Sequence, residues 1–79
     1  MPKYMGHRSW NAWNVSLWLN NDERLYEFAL TAVQRSRNRT AAAKRILSAL
    51  GGSRTPDGGR FNLRSIYEAL EGFEGYLGA

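Results

Sequence analysis

Three tryptophans, Trp10, Trp13 and Trp18, lie within nine positions of a chain of 79 residues that contains no cysteine. A chain this short buries one modest core, and without disulfides or thiolate metal sites its stability must come from apolar packing. Large aromatic side chains make such a core feasible because each removes a large area from water. We therefore expect a single domain over residues 1–79, with at least two of the tryptophans in its core.

The tryptophan segment has the features of a central helix. Ser9 is placed to cap it, and the apolar residues that follow cover nearly its whole circumference. Asn14 falls among the tryptophans, where an unpaired buried amide would cost about 1–3 kcal/mol. We predict that this helix is the most buried element and that Asn14 has a hydrogen-bond partner. Partial exposure is expected for Trp18, Tyr4 and Tyr76.

Three further helices are predicted. The second spans residues 20–37 with Asn20 and Glu23 as a variant capping box, the third follows Thr40 and ends at Gly51, and the fourth follows Asn62. The residues expected to face inward at helical spacing are Leu25, Phe28, Ala29, Ala32 and Val33 on the second helix, Ala43, Ile46, Leu47 and Leu50 on the third, and Leu63, Ile66, Tyr67 and Leu70 on the fourth. These features predict an all-α fold, a compact bundle of about four short helices.

A loop rich in glycine and proline, residues 51–61, precedes the last predicted helix. Residues 56–58, Pro-Asp-Gly, favour a tight turn, and Gly59 is free to adopt positive φ. The loop is therefore compatible with a short hairpin. The aromatic and apolar residues of the tail, 73–77, are expected to dock on the bundle.

The formal charge of +4 is unevenly distributed along the chain. Residues 22–34 and the tail from residue 65 are acidic, whereas residues 35–64 hold eight cations and a single acid. Cations at this density bind phosphate when they converge on one face, but a solvated helix surface has the same composition. Both interpretations stay open from the residues alone. The candidate partner-binding residues are Arg35, Arg37, Arg39, Lys44, Arg45, Arg54, Arg60 and Arg64.

Catalytic chemistry has little material in this sequence. His7 is the one histidine and lies near a terminus, and there is no HExxH, GxSxG or phosphate-binding glycine loop. Asp22 and Glu23 fit the start of a helix, and Glu27 fits its solvent face at i+4 from Glu23, better than the three acids fit an acid/base or metal cluster. We expect no enzymatic activity, no metal and no cofactor.

Two further classes of protein are disfavoured. A helix-turn-helix is a poor match because the connector, residues 51–61, is too long for that motif and the following helix carries Glu68 and Glu71, which phosphates would repel. No segment has the length and hydropathy of a secretory signal or a membrane span. We expect a protein that does not enter membranes.

Residues 7–30, HRSWNAWNVSLWLNNDERLYEFAL, carry a family resemblance. They are similar to the opening of a group of small phage and prophage proteins whose pattern is close to "YxTWNVxLWxNNDExLY", with Ala12 where the group usually has Thr. The stretch TPDGGRF also resembles a later segment in some members, so the resemblance covers about half of the chain. The matched residues are Trp13, Asn14, Val15, Leu17, Trp18, Asn20, Asn21, Asp22, Glu23, Leu25 and Tyr26.

The resemblance implies a phage origin, and some small phage proteins of this size are anti-CRISPR proteins that act on type I surveillance complexes. The expectation is therefore a monomeric inhibitor in the cytoplasm of the host bacterium that sterically blocks target DNA from the complex. The cations would meet guide-RNA phosphate or an acidic protein patch. In a second docking mode the acids Asp22, Glu23, Glu27, Glu68 and Glu71 would occupy a basic DNA channel. The alternative from a different class is a small basic protein that binds DNA or RNA directly.

Overall fold

In a computed structural model, residues 9–79 are described, and they form four α-helices followed by a 3₁₀ helix. The α-helices are α1 (Trp10–Asn21), α2 (Glu23–Gln34), α3 (Arg39–Leu50) and α4 (Leu63–Ala69), and the 3₁₀ helix spans Leu70–Tyr76. The loop between α3 and α4 contains one antiparallel bridge, between Arg54 and Arg60. The predicted all-α bundle is confirmed, and the short hairpin is reduced to this single bridge.

Two of the predicted helix caps are confirmed. The Ser9 hydroxyl accepts a hydrogen bond from the Ala12 N–H at 3.1 Å, which satisfies one of the free donors at the start of α1. Asn62 and Ser65 form a reciprocal capping box at the start of α4, with N–H to side-chain oxygen distances of 2.9 and 3.1 Å. At both positions the spacing of polar residues along the sequence was enough to identify the cap.

The other two predicted caps are wrong. Because α1 continues to Asn21, Asn20 lies inside it and its amide donates to the Ser16 carbonyl at 2.8 Å. Asp22 caps α2 instead, accepting from a backbone N–H at 3.0 Å. At α3 the cap is Asn38 and not Thr40, so that helix begins with Arg39. In each case a second residue of good capping type stands within two positions of the predicted one.

The hydrophobic core uses the smaller apolar face of α1. Ala12, Val15 and Leu19 are buried, and the helix packs most extensively on α4. The predicted burial of at least two tryptophans is wrong, because Trp10 is 39% exposed and the other two are half-buried. The main core residues are Val15, Leu19, Ala29, Ala32, Val33, Ala42, Ala43, Ile46, Phe61, Ile66, Ala69, Leu70 and Phe73.

Three large side chains predicted to face inward are exposed. Phe28 on α2 is 38% exposed, and Leu63 and Tyr67 on α4 are exposed to a similar degree. Each lies at the edge of its apolar stripe, where helical spacing alone does not decide between core and surface. The other predicted inward-facing residues are buried or packed against the core.

The C-terminal tail docks on the bundle, as predicted. Phe73 is buried, with its ring centroid 5.4 Å from that of Tyr26 on α2. Beyond the 3₁₀ helix, the Gly78 N–H donates to the Val33 carbonyl at 3.4 Å. Tyr76 is exposed and Trp18 half-exposed, as predicted, whereas Tyr4 and His7 lie outside the described residues.

Candidate partner-binding surface

The eight candidate cations do not form one continuous cluster. The structure brings them together in pairs: Arg35 with Arg45 in a groove between α2 and α3, Arg54 with Arg60 on the hairpin, and Arg39 with Arg64 beside α4. Arg37 and Lys44 are exposed, the first in the loop between α2 and α3 and the second on α3. Six of the eight candidates are therefore distributed over three separate pairs.

The groove between α2 and α3 combines an exposed aromatic ring with two arginines. Its volume is about 400 Å³. Three side chains come from α2, at i, i+3 and i+4, and a fourth, at i+7, comes from the residue directly after this helix; three more come from α3, at i, i+3 and i+4, so each helix contributes one face. The groove is lined by Phe28, Thr31 and Ala32 of α2, by Arg35 at its C-cap, and by Arg45, Ser48 and Ala49 of α3. The lining side chains other than Phe28 and the two arginines are small, and nothing acidic lines the groove.

The hairpin holds Arg54 and Arg60 directly opposite each other. The flanking hydrogen bonds run from the Thr55 N–H to the Gly59 carbonyl at 2.7 Å and from the Phe61 N–H to the Ser53 carbonyl at 3.3 Å. This pattern makes Arg54 and Arg60 a non-hydrogen-bonded antiparallel pair, the arrangement in which opposite side chains are closest. Both are exposed and both line a groove of about 260 Å³.

Asn11 of α1 fixes the backbone of Arg60. Its side-chain amide donates to the Arg60 carbonyl at 2.9 Å, and its side-chain oxygen accepts from the Arg60 N–H at 2.6 Å. The Ser65 hydroxyl donates to the same carbonyl at 2.8 Å. The outward-facing polar groups of this residue are thus satisfied by side chains, which position the hairpin on the bundle.

Arg39 is engaged inside the molecule. Its Nε lies 2.9 Å from a carboxylate oxygen of Glu74, its guanidinium donates to the Tyr67 carbonyl at 3.3 Å, and the guanidinium carbon lies 4.1 Å from the centre of the Tyr67 ring. These contacts connect the start of α3 to α4 and the 3₁₀ helix. They leave the side chain 23% exposed, so Arg39 is a poor candidate for partner contact.

Arg64 lies in an environment of mixed charge. It shares a groove with Arg39, Tyr67, Glu68 and Glu71. Acidic neighbours offset its charge, so this part of the surface is less suited to an anionic partner than the two other pairs.

The acids of the second docking mode are divided in the same way. Asp22 is half-buried and its carboxylate caps α2, whereas Glu23 and Glu27 are exposed on α2, and Glu68 and Glu71 lie beyond α3 on α4 and the 3₁₀ helix. The interpretation of Asp22 as a helix-start residue is confirmed. Glu23, Glu27, Glu68 and Glu71 stay candidates for the second docking mode.

Asn14 has the hydrogen-bond partners predicted for it. Its amide donates to Asp57 Oδ2 at 3.0 Å, and its side-chain oxygen accepts from the Thr55 hydroxyl, which in turn accepts from the Gly59 N–H at 2.8 Å. The Trp18 indole N–H also donates to Asp57 Oδ2, at 2.9 Å. Hydrogen bonds from Asn14 and Trp18 lower the pKa of the Asp57 carboxyl, in that order of importance.

This network joins the two segments that carry the family resemblance. Asn14 and Trp18 belong to the first segment, and Thr55, Asp57 and Gly59 to the second. A Cβ on Gly59 would lie 2.6 Å from the Asn14 side-chain oxygen, so only glycine fits there. The left-handed residue of the turn is Gly58, at φ 95°, and not Gly59 as predicted. The motif residues therefore dock the loop on α1.

Sequence reasoning missed Phe28 as a surface residue and Asn11 as the anchor of the hairpin. A second stripe on α2, formed by Phe28, Thr31 and Arg35, was a usable signal for the groove. Asn11 carried no such signal, because its partner is far away in the sequence and is a backbone group.

Over residues 9–79, no group of three acids or histidines comes together in a way that suits a metal ion. Within the same part of the chain, no helix has both the length and the hydrophobicity of a membrane span.

Comparison with known proteins places the chain in a family but does not describe an activity. Neither the curated proteins nor the solved structures include a match to the chain. A model for a family of unknown function, DUF7249, matches residues 1–71 of the 79. Because this match covers most of its length, the chain belongs to the DUF7249 family.

Proposed function

We propose that this protein is a phage-encoded inhibitor of host defence that binds a type I CRISPR surveillance complex and blocks target DNA from it. The phage assignment and the choice of complex derive from the resemblance of residues 7–30 and of the TPDGGRF stretch to small phage proteins. The proposed action is steric, takes place in the cytoplasm of the host bacterium, and is carried out by a monomer without a metal or cofactor.

The observation that carries the proposal is the groove between α2 and α3. Aromatic residues and arginines are the types most enriched at the energetic centres of protein interfaces, and here Phe28 lies in one groove with Arg35 and Arg45. The small side chains that line the rest of the groove allow a partner side chain to approach the helices closely. The groove therefore suits a protein segment that inserts an apolar residue.

Charge complementarity defines the partner segment further. Both arginines are exposed and no acid lines the groove, so the matching segment carries carboxylates next to its apolar residue. We assign this segment to a protein subunit of the complex. Arg37 and Lys44 add positive charge near α3 that speeds the approach of an acidic surface.

The proposal is tested by measuring target-DNA binding to a purified type I surveillance complex in a gel-shift assay, with increasing amounts of the protein. Wild type is expected to abolish the shifted band at a molar ratio near one. Phe28→Ser and Arg35→Glu are expected to require at least tenfold more protein. Arg24→Glu, an equal charge reversal on α2 outside the groove, is the matched control and is expected to inhibit like wild type. Inhibition by none of the proteins would refute the proposal.

A second candidate, direct binding to DNA or RNA, is favoured by the Arg54–Arg60 pair. Two adjacent cations without an acidic neighbour in their groove are an arrangement that phosphate satisfies. Salt separates the candidates. Six phosphate contacts lose roughly 10³-fold in affinity between 50 and 200 mM salt, whereas an interface with an apolar centre loses much less.

A further inference from the structure

We infer that Arg54 and Arg60 form a clamp for one phosphate group, and that its ligand is the phosphodiester of a nucleic-acid strand. The clamp extends the proposed function and rests on it only for the source of the phosphate, which in the complex is the guide RNA. The binding site itself is argued from the hairpin alone.

The geometry of the Arg54–Arg60 pair suits one shared anion. As a non-hydrogen-bonded antiparallel pair, the two arginines extend from the same face of the hairpin with their Cβ atoms about 4.5–5.5 Å apart. Like charges in this position repel each other and destabilise the pairing. A bound anion removes that repulsion, because one phosphate presents several oxygens that two guanidinium groups share.

The hairpin that carries the two arginines is held rigidly on the bundle. The amide of Asn11 and the hydroxyl of Ser65 fix the backbone of Arg60, and the network of Asn14 and Thr55 fixes the turn beyond it. The clamp is therefore built on a hairpin held at both its base and its tip. Little backbone entropy is lost when a ligand binds, which favours binding.

The groove beside the two arginines has a composition that suits an anion. Besides the two arginines it is lined by Gly52, Ser53, Phe61 and Asn62, with no acid among them. The nearest acid along the chain, Asp57, accepts hydrogen bonds from Asn14 and Trp18 of α1. Ser53 and Asn62 supply further hydrogen-bonding groups for phosphate oxygens.

Two contacts alone give weak binding at physiological salt, so the test uses low salt. Binding of a fluorescein-labelled, single-stranded 12-nucleotide RNA is measured by anisotropy from 20 to 150 mM salt. For the double variant Arg54→Gln/Arg60→Gln we expect about a tenfold loss at 20 mM and a salt slope lower by roughly 1.4, the value for two single-strand contacts. The matched control is Arg24→Glu, which changes the net charge by the same amount at an exposed position on α2 outside the candidate partner-binding residues.

An equal loss in the double variant and in the Arg24→Glu control, or no RNA binding by wild type at 20 mM salt, would overturn the clamp. Thermal unfolding of both variants checks the fold, and the hairpin variant is expected to melt no lower than wild type because a repulsion has been removed. The RNA assay contains no CRISPR complex, so a negative result there does not bear on the proposed inhibition. Equally, a negative result in the inhibition assay does not bear on the clamp.

The source of the phosphate is resolved by following the Nε–Hε resonances of Arg54 and Arg60 by NMR. Joint, saturable shifts with the RNA support the phosphodiester. Shifts with inorganic phosphate that the RNA does not displace support the clamp but assign it to a free anion, which overturns the nucleic-acid ligand. Shifts that appear equally at Arg24 overturn the clamp itself.

Discussion

Replacing Asn14 by alanine tests whether the buried network holds the loop on α1. Asn14 is 1% exposed, and its side chain connects the Thr55 hydroxyl to the Asp57 carboxylate. In Asn14→Ala the Thr55 hydroxyl keeps the Gly59 N–H as a donor to its oxygen but has no acceptor for its own proton. A void also remains between α1 and the loop.

The expected loss of stability follows from these two effects. A buried donor without a partner costs about 1–3 kcal/mol, and the void adds several tenths. The total is about 1.5–3.5 kcal/mol, before any loss at the exposed Asp57 is counted. A chain of 79 residues has roughly 4–12 kcal/mol of stability in all. At about 4–8 °C per kcal/mol, the melting temperature should fall by about 6–28 °C.

Urea unfolding followed by circular dichroism measures this loss directly. Trp18 donates to Asp57, so its indole Nε1–H resonance, followed by NMR, reports separately on whether the loop is still docked. Asn20→Ala is the matched control, because Asn20 is an exposed asparagine on the same helix that bonds only within its own turn. It should change stability by less than about 0.5 kcal/mol. A loss below 1 kcal/mol in Asn14→Ala would refute the role assigned to the network.

Three further predictions concern the loop and the tail. Hydrogen bonds lower the folded-state pKa of Asp57 below its ordinary 3.8, so the stability that Asp57 contributes is present above about pH 4 and is lost as the pH falls through the folded-state pKa. In thermal melts from pH 6 to 2, Asp57→Asn should therefore lose less stability on acidification than wild type. Gly59→Ala should cost about 1–3 kcal/mol in urea unfolding, whereas Gly72→Ala, where a Cβ meets nothing within 4 Å, should change little; equal effects would contradict the close-approach argument. Arg39→Ala should speed hydrogen exchange in the 3₁₀ helix, with exposed Arg37→Ala as control, and unchanged exchange would contradict the docking role.

Local signals in the sequence were enough for the helices and for half of their caps. Ser9 and Asn62 were identifiable because each directly precedes a helical pattern and has a side chain that can accept from the free backbone N–H groups of the first turn. For the second and third helices, the sequence correctly indicated a capping residue but placed it two positions away, at Asn20 instead of Asp22 and at Thr40 instead of Asn38. Neighbouring residues compete for the same role, and tertiary packing selects among them.

Burial of the first helix was not predictable from its own pattern. A helix that is apolar all round has no unique inward face, and the bulk of Trp10 and Trp13 favoured the wrong one. Close packing of α1 on α4 instead uses the smaller Ala12 and Val15 face. Asn14, on the tryptophan side, is covered by the loop, because the loop supplies the polar partners that it needs.

The grouping of the cations also depended on the fold. Sequence density indicated a basic surface but not which charges would be neighbours. Arg54 and Arg60 become opposite only through the hairpin, Arg35 and Arg45 only through the packing of α2 on α3, and Arg39 is drawn inward by Glu74. The second and third of these contacts link residues on different elements, so no local pattern contained them, whereas Arg54 and Arg60 lie on one loop and are paired by the register of its turn.

The most direct test of the central claim is a nuclease-treated pull-down of the tagged protein from cells that express a type I surveillance complex. Wild type and Phe28→Asp, an exposed change at the groove between α2 and α3, are compared side by side, with retention of free duplex DNA measured at 150 mM salt. The account predicts stoichiometric recovery of the complex by wild type, loss of recovery by Phe28→Asp, and no retained DNA. Recovery of nucleic acid alone, or of equal amounts of complex by both proteins, would contradict it.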